Sequence, residues 1–503
     1  MTLRRALPFV LSFIAQPLMA QSNGHGEQLR ELDAYFAKAA KDWNVPGLAI
    51  AIVHKGQLVF AKGYGVRDVG TKQPVDTQTI FAIASTTKAL TSAALGMLVD
   101  EGRIRWDDPV TKYLPSFQMS DPWTTREVTV RDLITHRAGL PEVDYLWTGG
   151  DNSRDEVIRR IRFIQPTYSF RAGYIYHNVM YAVAGAVIEA ASGMTWDEFI
   201  RRRIFEPLGM TRSVTTLAEA VTKDNRAQPH ERDADTLRVS GNSLADGIGP
   251  AGSVWSSIAD MSKWVRFMLD TGKVNGRPLL TPATWAELFR PANILGPVTV
   301  NSAAQLRIAK PHWRTYALGW SQLDYLGRQV DFHTGSLTGM IAINGMIREE
   351  GIGVYVMSNT SSEIRHALMF KVFDTYLGAP PRDWSGEMLA MRRADNSDDD
   401  ESNARPRGIR VEGTKPSLPL ERYAGTFVDS LYGKIAVTME NGVLRYRFSS
   451  TQAGSLEHWQ YDTFRVVWDD WWRGRSTITF GVGPNGSADR LEVGNFTLRR
   501  PRR

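Results

Sequence analysis

The sequence contains no cysteine among its 503 residues, which excludes disulfide bonds, thiolate zinc sites and a cysteine nucleophile. It also lacks the Gly-x-Gly-x-x-Gly phosphate loop, the His-Glu-x-x-His zinc motif and the Gly-x-Ser-x-Gly elbow. These absences disfavour nucleotide enzymes, zinc proteases and α/β-hydrolases. After Ala20 no segment approaches the run of about 20 apolar residues that a membrane span requires. No metal or organic cofactor is implied.

A large charge excess is missing as well. The 60 Lys and Arg residues against 54 Asp and Glu give a formal net charge of +6. This excess is small, and we interpret the basic C-terminal tip as a solvated tail, so we expect no nucleic-acid partner. The hydrophobic content of 43% is ordinary for a globular protein. We therefore expect a small-molecule or peptide substrate, and the sequence leaves a homo-oligomer open.

Residues 1–20 have the pattern of a signal peptide. Arg4 and Arg5 precede a mostly apolar stretch that ends at the small residue Ala20. Cleavage there would begin the mature chain at Gln21; the alternatives are a short buried helix or a retained anchor. Because no cysteine follows the apolar stretch, a lipoprotein anchor is excluded. The pattern predicts an exported protein, periplasmic or secreted, without a stable membrane anchor.

Strand and helix patterns alternate in a way that predicts an α+β fold. Apolar and β-branched residues over 47–53 and 58–60 flank a tight turn, and those over 340–347 and 352–357 flank another. Helical periodicity occupies most of the chain between these two strand pairs. We therefore predict one domain over residues 28–378. Its antiparallel sheet takes strands from both ends of the domain and is flanked by helices.

The composition changes after residue 378. Residues 379–415 hold paired prolines and many charged side chains with few apolar ones, which predicts an exposed linker. Short strand patterns over 416–503, the last of them at 490–498, predict a small all-β barrel domain. Four tryptophans in this region are candidates for lining a ligand cavity or for packing in the core and rim. They are Trp459, Trp468, Trp471 and Trp472.

One Ser-x-x-Lys motif, formed by Ser85 and Lys88, follows an apolar segment and opens a predicted helix. Residues i and i+3 share one face of a helix, so the lysine is expected beside the serine hydroxyl. A serine becomes a nucleophile when a neighbour takes its proton, and a lysine does this only when burial or nearby positive charge lowers its pKa. The helix N-terminus also offers N–H groups to an oxyanion. Ser85 is thus the candidate nucleophile.

Two further motifs are each ambiguous alone. Tyr176 and Asn178 form a Tyr-x-Asn on a loop before an apolar helix, where a phenol near an ammonium can transfer protons. The alternative for Tyr176 is a core tyrosine. His333 and Gly335 belong to a cation-Thr-Gly segment before a predicted strand, where glycine lets a substrate backbone approach. The N–H of Ser336 is a candidate oxyanion donor, and a turn with a solvated histidine is the alternative.

Together and in this order, the three motifs resemble those of the serine β-lactamase and penicillin-binding protein superfamily. The resemblance is strongest to its class C β-lactamase-like branch, which includes peptidases and esterases. Three other segments are also similar to that branch, and the resemblance covers residues 28–378. These segments lie at 133–140, 170–176 and 250–260. Residues 457–464 resemble the lipocalin-like domain that follows some of these hydrolases.

The resemblance implies roles for the motif residues. Ser85 forms an acyl-enzyme while Lys88 and Tyr176 exchange the protons. Asn178 contacts the substrate amide, and the N–H groups of Ser85 and Ser336 form the oxyanion hole. The extra β domain is expected to shape the cleft or the oligomer.

Two residues depart from the usual β-lactamase pattern. His333 stands where many β-lactamases have a lysine, and a histidine is mostly neutral at pH 7, so it lacks a permanent charge for a substrate carboxylate. His177 replaces the usual serine. Both changes favour another amide or an ester. We predict a serine hydrolase that cleaves amide bonds of small or non-standard peptides, including those with D-residues. A carboxylesterase, a β-lactamase and a penicillin-binding sensor without turnover are the alternatives.

Overall fold

The computed structural model describes residues 19–149, 151–233, 236–403 and 410–501. The predicted signal peptide lies outside these residues, except for its last two, which begin the first helix. The described α-helices are α1 (Met19–Asp42), α2 (Thr87–Asp100), α3 (Pro122–Glu127), α4 (Val130–Leu133), α5 (Arg154–Arg160), α6 (Val179–Ser192), α7 (Trp196–Ile200), α8 (Glu206–Leu208), α9 (Leu217–Ala220), α10 (Gly249–Gly252), α11 (Ile258–Leu269), α12 (Pro282–Leu288), α13 (Ala304–Ala309), α14 (Ile364–Leu377) and α15 (Trp384–Asn403).

The strands of the described residues form one large sheet, one barrel and three short two-stranded sheets. They are β1 (Gly47–His54), β2 (Gln57–Gly65), β3 (Ile80–Ala82), β4 (His230–Asp233), β5 (Thr236–Val239), β6 (Trp255–Ser257), β7 (Lys273–Val274), β8 (Arg277–Pro278), β9 (Asn293–Ile294), β10 (Arg314–Tyr316), β11 (Ser321–Tyr325), β12 (Arg328–Leu337), β13 (Met340–Ile347), β14 (Ile352–Ser358), β15 (Gly425–Asp429), β16 (Gly433–Glu440), β17 (Val443–Arg447), β18 (Ala453–Gln460), β19 (Thr463–Trp468), β20 (Ser476–Val482), β21 (Ala488–Val493) and β22 (Phe496–Arg499).

The large sheet is antiparallel, with strand order β2-β1-β14-β13-β12-β11-β10-β9. Leu48 of β1 lies opposite Ser358 of β14, so the first and last strands of the domain pair near one edge of the sheet. Helices cover both faces. The predicted α+β class, an antiparallel sheet flanked by helices and followed by a barrel, is confirmed.

Alternation along β1 explains how one apolar run serves two cores. Leu48, Ile50 and Ile52 point to the face covered by α1 and α14. Ala49, Ala51 and Val53 point to the face covered by the helices that include α2, α6 and α11. Successive side chains of a strand leave on opposite faces, and a strand buried on both faces therefore reads as continuously apolar.

In the described part of the chain, no single helix is long and apolar enough to cross a membrane. One bent helix pair, Val179–Ser192 with Trp196–Leu208, meets the requirements of length and composition. The apolar side chains of the first member are buried in the protein core.

The segment predicted to be an exposed linker, 379–415, contains α15 over Trp384–Asn403. Trp384 stacks on Phe370 of α14 with ring centroids 4.5 Å apart, and Met388, one turn later, is also buried. These two apolar residues at i and i+4 help to dock this end of the helix, although charged residues dominate the composition around them.

The C-terminal strands β15 to β22 form a closed barrel. Residues 490–498, expected as one strand, divide into β21 and β22, because Gly494 has a φ of +56° and the chain reverses there. Consecutive strands are antiparallel, so alternate connections lie at the same end of the barrel. Four connections lie at the end of the barrel that contacts the hydrolase-like domain. They are 430–432, 448–452, 469–475 and 494–495.

Candidate active site

Ser85 lies in a short 3₁₀ helix, Ala84–Thr86, that leads directly into α2. Ala84 has a φ of +49°, a left-handed conformation that is uncommon for a non-glycine residue and often marks a functional site. Gly335 of β12 packs against this turn, and a Cβ on it would lie 2.1 Å from the Ile83 carbonyl oxygen. The sequence predicts that this glycine lets a substrate backbone approach. In the structure, the turn that carries Ser85 packs where a side chain on residue 335 would lie.

Lys88 is fully buried in the first turn of α2, and its Nζ contacts three acceptors. Nζ lies 3.1 Å from Ser85 Oγ, 2.7 Å from Asn178 Oδ1 and 3.1 Å from the Ala251 carbonyl oxygen. The rings of Tyr176 and Tyr181 also face it, with centroids at 4.7 Å and 5.1 Å. The structure thus brings together the predicted Ser-x-x-Lys and Tyr-x-Asn residues.

Burial lowers the pKa of Lys88 to about 7, while the negative charge of Asp144 acts in the opposite direction. Three histidines stand near this lysine. Burial, and then the positive charge of Lys88, lower the pKa of His177 and of His333 to about 3. Burial, and then the charge interactions with His177, Lys88 and His333, hold the pKa of His136 well below its usual value. At pH 7 these histidines are neutral, and the lysine is divided between its two protonation states.

The Tyr-x-Asn loop is held in place from two sides. Tyr176 lines the same cavity as Ser85, and burial raises its pKa well above the ordinary value, so it is a neutral phenol at pH 7. On one side, the backbone N–H of His177 donates to His136 Nδ1 over 3.2 Å. On the other, Asn178 Nδ2 donates to Asp144 Oδ1 over 3.1 Å.

His333 lies on β12 just after Phe332, the last residue that pairs with β11. The remaining residues of β12 therefore present an unpaired edge toward Ser85. His333 Nδ1 lies 2.7 Å from the Thr334 carbonyl oxygen, to which it donates, and the Tyr316 hydroxyl lies 3.1 Å from Nε2. Both ring nitrogens are occupied, so this buried and neutral histidine offers no cation to a substrate.

Ser336, the second oxyanion candidate, is further along the same edge. Its hydroxyl accepts a hydrogen bond of 2.8 Å from Arg365 Nη1. The same guanidinium group donates to the Gly335 carbonyl oxygen. Arg365 is itself buried, so its two hydrogen bonds hold Gly335 and Ser336 of β12 in place.

A cavity of about 230 Å³ lies next to Ser85, the candidate nucleophile. Four of the candidate residues line it, namely Ser85, Tyr176, Asn178 and Ser336. Glu142, Asp144 and Trp147 also line it, and no motif indicated them. No Lys or Arg lines it among the described residues. Within the same residues, no three His, Asp or Glu side chains converge as metal ligands would.

The carboxyl groups of Glu142 and Asp144 lie close enough in this cavity for their charges to interact. Burial, and then the charge of Asp144, raise the pKa of Glu142. Asp144 also accepts a hydrogen bond of 2.7 Å from Trp147 Nε1. The cavity therefore has an acidic side, which suits neutral or cationic groups better than carboxylates.

The family model described as "Beta-lactamase" matches residues 32–369. The chain belongs to the beta-lactamase family. A second family model, a domain of unknown function, matches residues 409–500 of this beta-lactamase family member.

Individual proteins agree with this assignment. An unguisins hydrolase of Aspergillus violaceofuscus is 28% identical over 458 residues, covering 83% of this chain and 77% of that protein. The octameric penicillin-binding protein homologue from Pyrococcus abyssi has a TM-score of 0.63 at 22% identity, covering 93% of this chain and 99% of that one. The crystal structure of SurE has a TM-score of 0.57 at 19% identity, covering 95% and 100%. These two structures share the fold of this family member, which is a hydrolase of the beta-lactamase family.

Proposed function

We propose that this hydrolase cleaves amide bonds of small or non-standard peptides through an acyl-enzyme on Ser85. The observation that carries the proposal is the hydrogen bonding of Lys88. A neutral lysine amine has two N–H donors and one lone pair. Asn178 Oδ1 and the Ala251 carbonyl oxygen can only accept, so they take the two donors. The lone pair is then left for the hydroxyl of Ser85.

In the proposed reaction, Ser85 Oγ attacks the substrate carbonyl carbon as its proton moves to Lys88 Nζ. The N–H groups of Ser85 and Ser336 stabilise the oxyanion. Tyr176 gives its phenolic proton to the leaving amine and regains one from Lys88. The C–N bond breaks and leaves an ester on Ser85. Water then attacks this ester by the same proton transfers in reverse, releasing the acid.

The lining of the cavity supports an amide or ester without an adjacent carboxylate. His333 is neutral, and Glu142 and Asp144 face the same space. A penicillin carboxylate would meet no cation there and would approach two carboxyl groups. The class C-like peptidase and esterase branch, the unguisins hydrolase and the departures at positions 177 and 333 all support the same substrate class. Export by residues 1–20 and a homo-oligomer, suggested by the octameric neighbour, are further proposals.

The test compares wild type with Ser85→Ala on three sets of probes. These are a fluorescent penicillin, p-nitrophenyl esters, and D- and L-aminoacyl p-nitroanilides. We expect anilide and ester turnover by the wild type that disappears in Ser85→Ala. Stable penicillin labelling without turnover would indicate a sensor instead. Equal turnover by both proteins would remove Ser85 from the mechanism.

A further inference from the structure

The near end of the barrel docks on the loop that carries Asp144. Tyr145 packs edge-on against Phe496 of the barrel, with ring centroids 5.1 Å apart. Thr451 Oγ1 donates to the Gly149 carbonyl oxygen over 3.1 Å, and the N–H of Ser450 donates to Asp151 over 2.9 Å. One short loop therefore contacts the catalytic cavity on one side and the barrel on the other.

A second cavity, of about 540 Å³, lies between the barrel and the hydrolase domain. It adjoins the catalytic cavity, because Trp147, Ser336 and Leu337 line both. The strand edge that passes Ser85 continues from Ser336 into this space. A chain bound along that edge would therefore leave the catalytic cavity and enter the second one.

The barrel supplies one side of the second cavity. Trp468, Trp472, Gln452 and Ser476 line it from the barrel, and Trp472 packs on the backbone of Gly241 across the domain boundary. Among the described residues, the one charged side chain in the lining is Arg473, whose Nε donates to Asp470 over 3.1 Å. The two indole rings of the barrel, together with the indole of Trp147 and neutral polar neighbours, suit an uncharged group that combines apolar surface with amide hydrogen bonds.

We propose that the barrel completes the substrate site, and that its Trp468 and Trp472 hold the distal residues of an extended, uncharged peptide whose scissile bond lies at Ser85. The proposal rests on the peptide hydrolysis proposed above and names the kind of peptide. The catalytic cavity, at about 230 Å³, is below the range of about 300–1,000 Å³ that is usual for small-ligand sites, whereas the second cavity lies within it. The barrel is thus expected to select longer substrates rather than to exclude them.

The experiment compares p-nitrophenyl acetate with N-acetylated, C-terminally amidated peptides of two to six residues, in the stereochemistry that the anilide panel selects. Trp472→Ala should lower kcat/KM for the hexapeptide at least tenfold and change turnover of the acetate less than twofold. Ser476→Trp places a bulky side chain in the second cavity and should likewise lower kcat/KM for the hexapeptide but not for the acetate. It tests the same cavity even if Trp472→Ala does not fold. Trp459→Ala, at the other end of the barrel, is the matched control and should change neither.

A parallel loss on both substrates, or no loss on the hexapeptide in either variant, would overturn the proposal. Calorimetry separates it from the catalytic proposal. The hexapeptide should bind to full-length Ser85→Ala and bind at least tenfold more weakly when Trp472→Ala is added. If Ser85→Ala still hydrolysed the acetate, the Ser85 mechanism would be wrong. The calorimetry would still show whether Trp472 binds the hexapeptide.

Discussion

Asp144 offers a sharp test of how this site tunes its lysine. Replacing it by asparagine removes one negative charge and keeps an oxygen that can accept from Asn178 Nδ2 and Trp147 Nε1. The carboxylate favours the charged form of Lys88, so its loss should lower the lysine pKa below about 7. More of the amine is then neutral in acid, and the acid limb of kcat/KM should move to lower pH.

The size of the effect follows from the geometry. The two hydrogen bonds of Asn178 bridge Asp144 and Lys88, which corresponds to a charge separation on the order of 6 Å. Two unit charges at about 6 Å interact by about 3 kcal/mol at an effective dielectric constant of 20 and by about 0.7 kcal/mol at 80. Since one pKa unit is about 1.4 kcal/mol, the limb should move by about 0.5–2 pH units.

The assay is a pH profile of kcat/KM for a p-nitrophenyl ester between pH 5 and pH 9. That profile reports the groups of the free enzyme. His177 and His333 stand near this lysine but have pKa values of about 3, so they do not titrate in this range. Asp151→Asn is the control, because it neutralises a carboxylate on the same loop that faces Ser450 of the barrel. A limb that stays in place, or moves to higher pH, would refute the assignment of Lys88 as the titrating base.

Three further outcomes are expected. Lys88→Arg keeps the positive charge but cannot release a proton, so ester kcat should fall by about 10²–10⁴, and a loss under tenfold would contradict Lys88 as the base. Tyr176→Phe should reduce anilide turnover much more than p-nitrophenyl ester turnover, because only the amine needs a proton to leave; equal losses in steady-state rates would argue against that role. Gly335→Ala places a Cβ 2.1 Å from the Ile83 carbonyl oxygen and should destabilise the fold by about 1–3 kcal/mol in urea unfolding. Gly296→Ala, with open space around it, is its control and should leave the midpoint in place.

Local spacing explains what could be predicted of the site. Ser85 and Lys88 are three residues apart at the start of a helix, so their contact depends on helix geometry alone. Tyr176 and Ser336 are distant in sequence, and only the resemblance to a known family placed them together. Asp144 begins a 3₁₀ helix of three residues, Asp144–Leu146, which is too short to show a periodic pattern. Its position depends on contacts with Asn178 and with the barrel. Both are distant in sequence, so the residues around Asp144 give no sign of these contacts.

The structure differs from the sequence prediction at two places in the fold, a helix within 379–415 and a turn within 490–498. The charged residues of 379–415 predict a solvated segment, but the buried faces of Trp384 and Met388 determine where α15 begins to pack. In 490–498 the alternation of apolar and polar residues continues through the turn. The two-residue turn at Gly494 therefore leaves no break in the pattern, and the sequence predicts one strand instead of two. Strands β1, β13 and β14 of the large sheet were predictable because they are long, apolar and bounded by clear turns, whereas β9 and β10 span only two and three residues.

The alternation of connections in the barrel has a practical consequence. The connections near 441–442, 461–462 and 483–487 are at the end opposite the hydrolase domain. Asn441 and Gly442 both have positive φ, at 51° and 79°, typical of a tight hairpin turn that tolerates change at its exposed tip. An affinity tag, a dye or a tether to a solid support placed there would face away from both cavities. The barrel is therefore a natural point for attaching the enzyme to a surface with its substrate path open.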